Sequence, residues 1–129
     1  MLQDTILVVD DQAVNREILC SIFNDEYRVL QAEDGQAALD ILSAERKRIA
    51  VILLDVIMPV MDGFGVIRAM STDGDLKRIP VVLITGDRSD QTESTGFELG
   101  ITDFITKPFN PRIVWRRVKN TINMFTYNT

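Results

Sequence analysis

The sequence predicts an α/β fold, a parallel sheet with helices packed on both of its faces. Three observations carry that expectation. Short unbroken apolar runs (Ile6-Leu7-Val8-Val9, Val51-Ile52-Leu53-Leu54 and Val81-Val82-Leu83-Ile84) read as strands buried on both sides. Between them lie stretches whose apolar residues recur three or four apart, the spacing of an amphipathic helix. Strand and helix alternate about five times, with connections too short to separate domains.

In chain order, Thr5–Val9 is the first strand and ends in Asp10-Asp11. A helix follows, with Val14, Ile18, Ile22 and Phe23 as its expected apolar stripe and Cys20 as a buried, unreactive thiol. Residues 27–33 alternate in polarity as a strand near an edge does. Asp34 then fits the N-cap of a second helix with a stripe of Ala37, Ala38, Ile41 and Leu42. The strand of residues 51–54 runs directly into Asp55, and Met58-Pro59 and Asp62-Gly63 supply turn chemistry after it.

Val66, Ile67 and Met70 mark a third helix that stops near Thr72-Asp73-Gly74. Pro80 opens the next strand, a position where its missing N–H is tolerated, and that strand ends in Thr85-Gly86. Residues 87–100 are rich in Ser and Thr with Gly96 inside, a poor helix by propensity and the expected least rigid element. Asp103-Phe104-Ile105-Thr106 reads as an edge strand running into Lys107-Pro108. Asn110 and Pro111 fit the N-cap and first position of a last helix carrying Val114, Val118, Ile122 and Phe125.

Composition excludes several classes of chemistry. The 129 residues suit one domain, residues 1–129 with a core of about 4–125. There is no His and only one Cys, which rules out imidazole-based triads, imidazole metal sites and disulfides within the chain. A net charge of -5 disfavours direct binding to nucleic acid, and the early apolar run is too short to span a membrane. A cytoplasmic protein is expected.

Four strand ends carry Asp10-Asp11, Asp55, Thr85 and Lys107. The carboxyl edge of one parallel sheet would gather them, although they are far apart in sequence. Two carboxylates about 4 Å apart repel by roughly 4 kcal/mol at an effective dielectric of 20, so clustered acids call for cations. Lys107 supplies one. A site of oxygen ligands suits Mg2+, with Mn2+ as the alternative, better than zinc. Taken singly, the same residues have blander readings: a helix cap at Asp10 or Asp11, a strand-end Thr85, a core Phe104, a surface Lys107.

The motifs V-V-D-D at 8–11, L-L-D-V-I-M-P-V-M-D-G at 53–63, I-T-G at 84–86 and F-I-T-K-P-F at 104–109 resemble those of a bacterial two-component response-regulator receiver domain of the chemotaxis-regulator kind. The resemblance covers nearly the whole chain. It implies a flavodoxin-like, doubly wound (βα)5 fold with strand order 2-1-3-4-5. It implies that Asp55 is the phosphoacceptor, served by Lys107 and Thr85. Asp10, Asp11 and Asp55 with the backbone carbonyl of Ile57 would hold the metal, and Thr85 and Phe104 would form the switch. The implied partner is a sensor histidine kinase or histidine phosphotransfer protein. An output domain or a homodimer would use the face of the fourth helix, fifth strand and fifth helix, where Phe97, Trp115, Arg116 and Arg117 fall.

Such a domain promotes its own phosphorylation and dephosphorylation but is not a turnover enzyme. The apolar Ile57 should hinder an attacking water and give slow autodephosphorylation. The apolar residues near the chain's end, through Phe125 and Tyr127, fit the start of a linker to an output domain. Two alternatives stay open. A phosphohydrolase with a nucleophilic aspartate usually wants an acid where Ile57 stands, and a phosphate-independent binding module would not need every chemical position filled.

Overall fold

In the computed structural model, which describes residues 3–127, five parallel strands form one sheet in the order β2-β1-β3-β4-β5. The strands are β1 (Thr5–Val9), β2 (Arg28–Ala32), β3 (Ile49–Leu54), β4 (Val81–Thr85) and β5 (Asp103–Thr106). The helices are α1 (Ala13–Phe23), α2 (Gly35–Glu45), α3 (Gly63–Ser71), α4 (Asp90–Glu98) and α5 (Pro111–Tyr127), with a 3₁₀ turn at Leu76–Arg78 that the sequence pattern did not predict. The expected fold class and strand order are both present. The linker reading of the last residues falls partly on Asn128 and Thr129, outside the described residues.

The three central strands are buried throughout because helices cover both faces. Alternate residues of each strand serve opposite cores. Leu7, Val9, Ile52, Leu54 and Leu83 pack with Ala38, Leu42, Val66, Ile67 and Met70 from α2 and α3. Ile6, Val8, Val51, Leu53, Val82 and Ile84 pack with Leu19, Phe23, Val114, Val118 and Ile122 from α1 and α5. Each such side chain contributes about 1.5–3 kcal/mol on burial, so the unbroken runs are what a two-sided sheet demands.

Helix starts are set by local hydrogen bonds. Asp34, Asp62 and Ser89 accept from the backbone N–H groups of Ala37, Gly65 and Thr92, and Asn110 accepts from Arg112. The stripe expected on α1 needs correction. Leu19 and Phe23 are its buried residues, while Val14 and Ile18 face outward and Ile22 is half-buried. On α2, Ala38 and Leu42 are buried and Ala37 and Ile41 only partly so; Phe125 of α5 is likewise half-buried. These three helices carry apolar residues over a wider arc than the strip the sheet covers. Cys20 is also half-buried, not fully so. None of the helices, among the described residues, is long and apolar enough to cross a membrane.

Candidate functional site

Register brings the strand ends together. Val9 pairs with Leu54, and Leu54 with Leu83, so Asp10 and Asp55 emerge side by side at the carboxyl edge of the sheet. The ladder carries them one step further: Asp10 N donates to Ala32 O, Asp55 N to Val9 O, and Lys107 N to Thr85 O. Asp10 and Asp55 are 1% and 6% exposed, whereas Asp11 faces solvent.

Lys107 joins the acids. Its Nζ lies 2.7 Å from Asp10 Oδ2 and 2.9 Å from Asp55 Oδ2. Burial alone would pull the Lys107 pKa down, but the hydrogen bonds to Asp10 and Asp55 outweigh it and hold the ammonium above the ordinary lysine range. The other carboxylate oxygens are anchored by backbone: Asp10 Oδ1 accepts from Gln12 N and Asp55 Oδ1 from Val56 N. Asp10 therefore holds the entrance to α1, whose N-cap residue, Gln12, makes no side-chain capping bond.

The acids fit a hard divalent cation. Asp10, Asp11 and Asp55 each offer an oxygen, and these atoms lie within 4.8 Å of one another. Three carboxylates and one ammonium leave the pocket with a net charge of -2. An all-carboxylate donor set carrying that charge matches Mg2+ or Mn2+ and suits neither zinc nor copper.

The loop after Asp55 is built to tight tolerance. Gly63 N donates to Val56 O at 2.8 Å, and a Cβ on Gly63 would run into the Asp55 carbonyl oxygen. Only glycine lets α3 begin that close to the acceptor strand. Val60 in this loop takes a positive φ of 70° and is 82% exposed. Ile57 is 66% exposed beside the pocket. Gly86 borders open space, since a Cβ there would meet nothing within 4 Å.

Thr85 is buried, and its Oγ1 accepts from Asp87 N at 3.3 Å. Phe104 is 8% exposed and packs in the core on the α2 and α3 side. The Lys107-Pro108 peptide is cis. Of the outer face, Phe97 and Trp115 are exposed, but Arg117 pairs with Asp103 and Trp115 Nε1 donates to Glu26 within the chain.

Two arginines went unnoticed in the sequence. Arg16 Nη1 donates to Asp10 O and Arg88 Nη2 to Lys107 O, both at 2.8 Å. The signal for Arg16 was available, because helical side chains lean toward the N-terminus and so reach back over the preceding strand end. Nothing in the pattern around Arg88 marks it.

The chain is similar to known proteins along most of its length. The chain is 42% identical over 118 residues to the response regulator PleD of Caulobacter vibrioides, covering 89% of this chain and 25% of PleD. It is 34% identical over 118 residues to the two-component response regulator ORR3 of Oryza sativa subsp. indica, covering 91% and 89%. It superposes on chemotaxis protein CheY4 of Vibrio cholerae with a TM-score of 0.82 and 31% identity, covering 92% and 98% of the two chains. Against several longer relatives it spans only 49%, 26% and 44% of their length. The family model for the response regulator receiver domain matches residues 6–119, and the chain belongs to that family.

Proposed function

We propose that this receiver domain accepts a phosphoryl group on Asp55 from a phosphohistidine on a sensor kinase or phosphotransfer protein, with Mg2+ in the acidic pocket. The observation that carries the reading is the Lys107 ammonium bridging Asp10 and Asp55 beside the exposed Asp11. An Asp55 carboxylate oxygen attacks phosphorus, the bond from phosphorus to the donor imidazole nitrogen breaks, and that nitrogen leaves with the bond's electron pair. Asp55 becomes an acyl phosphate. A carboxylate is a weak nucleophile, so the rate depends on positioning and on stabilising charge at the phosphoryl oxygens.

Each residue has a part in that step. The Val56 N–H fixes the Asp55 carboxylate plane. Lys107, released from Asp55 Oδ2 as that carboxylate is phosphorylated, is placed to pair with a phosphoryl oxygen. Thr85 uses one lone pair on the Asp87 N–H, and its hydroxyl proton is left to donate to another phosphoryl oxygen. Asp10, Asp11 and Asp55, with the Ile57 carbonyl, would hold Mg2+, which when bound screens the anionic donor and takes up charge on the transferring oxygens.

Phe104 is buried, and this reading has it move further inward when Thr85 is drawn toward the phosphoryl group. Switching is then a shift in population between inward and outward Phe104, coupled to Thr85. The exposed, apolar Ile57 offers an attacking water no hydrogen bond, so the acyl phosphate should outlast a lifetime of seconds. The output, by a further domain or a homodimer through α4, β5 and α5, follows the same reading.

Incubation with Mg2+ and acetyl phosphate, followed by intact mass, tests it. The expected product carries one phosphoryl group that Asp55→Asn abolishes. Turnover of acetyl phosphate with no retained phosphate would mark a hydrolase, and no reaction at all a phosphate-independent binding module.

A further inference from the structure

Asp87, Ser89 and Thr92 link Thr85 to α4 through a chain of hydrogen bonds. Asp87 donates its N–H to Thr85 Oγ1, and its carboxylate Oδ2 accepts from Thr92 Oγ1 at 2.6 Å, the length of a charge-assisted bond. Asp87 Oδ1 accepts from Ser89 N at 3.0 Å. Ser89 Oγ in turn accepts from Thr92 N and donates to Thr92 Oγ1. Thr92 is buried, and its hydrogen bond holds the Asp87 carboxyl below the usual carboxylate range. The backbone of Asp87 and the first turn of α4 are thereby tied as one piece.

Apart from Arg88, whose Nη2 donates to Lys107 O, little else restrains that end of the helix. The buried residues of α4 are Thr92 and Gly96, with no large apolar side chain between them. Gly96 seats the far half closely, since a Cβ there would press on the ends of Leu83 and Ile101. A helix held by a close seat at one point and a hydrogen-bonded tie at its start can swing about the seat at low cost.

We propose that Asp87 and Thr92 form a positioning link that carries a displacement of Thr85 into α4, so that occupancy of the Asp55 pocket resets the start of that helix. The proposal rests on the phosphoacceptor reading of Asp55. When Thr85 turns toward a phosphoryl oxygen, the Asp87 amide follows its Oγ1, and the carboxylate bond to Thr92 draws the first turn of α4 along. Without the Thr92 hydroxyl the pocket still fills, but α4 does not respond. Thr92 acts through Asp87 and touches no reacting atom.

The experiment compares wild type, Thr92→Val, Thr92→Ser, Asp87→Ala and Asp55→Asn with Mg2+ and beryllofluoride as the phosphoryl mimic. Fluorine NMR reads binding, and hydrogen exchange reads the amides of residues 90–95. In wild type the mimic should change exchange in that segment by about fivefold or more. Thr92→Val and Asp87→Ala should bind the mimic as well as wild type or better, with the exchange change below about twofold. Thr92→Ser, which restores the hydroxyl, should restore the response. A full response in Thr92→Val and Asp87→Ala, or no rescue by Thr92→Ser, overturns the link. Absence of bound mimic in wild type, or equal binding by Asp55→Asn, fails the phosphoacceptor reading instead, and the link falls with it.

Discussion

Lys107 and Asp55, 52 positions apart in the chain, meet at 2.9 Å, and the same ammonium reaches Asp10 at 2.7 Å. A single cation thus neutralises part of a pocket that holds three acids. Its removal should act in opposite directions on two measurable steps. Lys107→Met should bind Mg2+ more tightly, because the carboxylates lose their internal counter-charge. It should also accept phosphate from acetyl phosphate about a hundredfold more slowly, the usual cost of losing one donor to developing charge. Titration calorimetry and intact mass measure the two effects, and a parallel fall in both would show that Lys107 only holds the fold.

Magnesium should stabilise the fold measurably. A ligand at about one hundred times its Kd adds about 2.7 kcal/mol to a protein that binds it only when folded. Thermal melts with Mg2+ and then with excess EDTA should differ by several degrees. Asp11→Asn should erase most of that gain while leaving the metal-free melt unchanged or raised, because Asp11 is exposed and like-charged with its neighbours. An Asp11→Asn protein with the full Mg2+ shift would remove Asp11 from the ligand set.

Val60 is a β-branched residue in the left-handed region, with its side chain in solvent. That conformation costs about 1–2 kcal/mol for such a residue, and no burial offsets it here. Val60→Asn should therefore stabilise the protein by about 1 kcal/mol in chemical denaturation, since asparagine tolerates this region. A destabilised Val60→Asn would mean that the side chain makes a contact worth more than the strain.

At the opposite edge of the sheet, Asp4 accepts two hydrogen bonds from Arg48. The hydrogen bond from Arg48, helped by one from Thr5, lowers the Asp4 pKa from 3.8 to about 2. A carboxyl depressed in the folded state contributes stability above its unfolded pKa and loses it as pH falls through the folded one. Asp4→Asn should thus melt below wild type at pH 7, with the gap closing between pH 4 and pH 2. A gap independent of pH would assign the effect to packing alone.

Much of this was legible in the sequence, for physical reasons that differ by element. Residues 51–54 announced a strand because an unbroken apolar run suits a sheet covered on both faces, and Asp55 followed without a polar lead-in. Parallel topology put Asp10, Asp11, Asp55 and Lys107 on one edge of the sheet, and the strand order implied by the resemblance made β1 and β3 neighbours. The buried face of α1 was not legible: Val14, Ile18 and Ile22 repeat at helical spacing as convincingly as Leu19 and Phe23, and only packing decides between the two stripes. Helix α4, weak by propensity, forms over Asp90–Glu98 with help that propensity does not count, the Ser89 cap and the close seat at Gly96. The φ of Val60 was invisible, since the residue type argues against it.

The most direct test of the phosphoacceptor assignment is chemical. Borohydride reduces an aspartyl phosphate to homoserine, which marks the position permanently for peptide sequencing. After treatment with Mg2+ and acetyl phosphate, homoserine should be found at position 55 and nowhere else. Homoserine at position 10 or 11, or a phosphorylated chain with unaltered Asp55, would contradict the assignment.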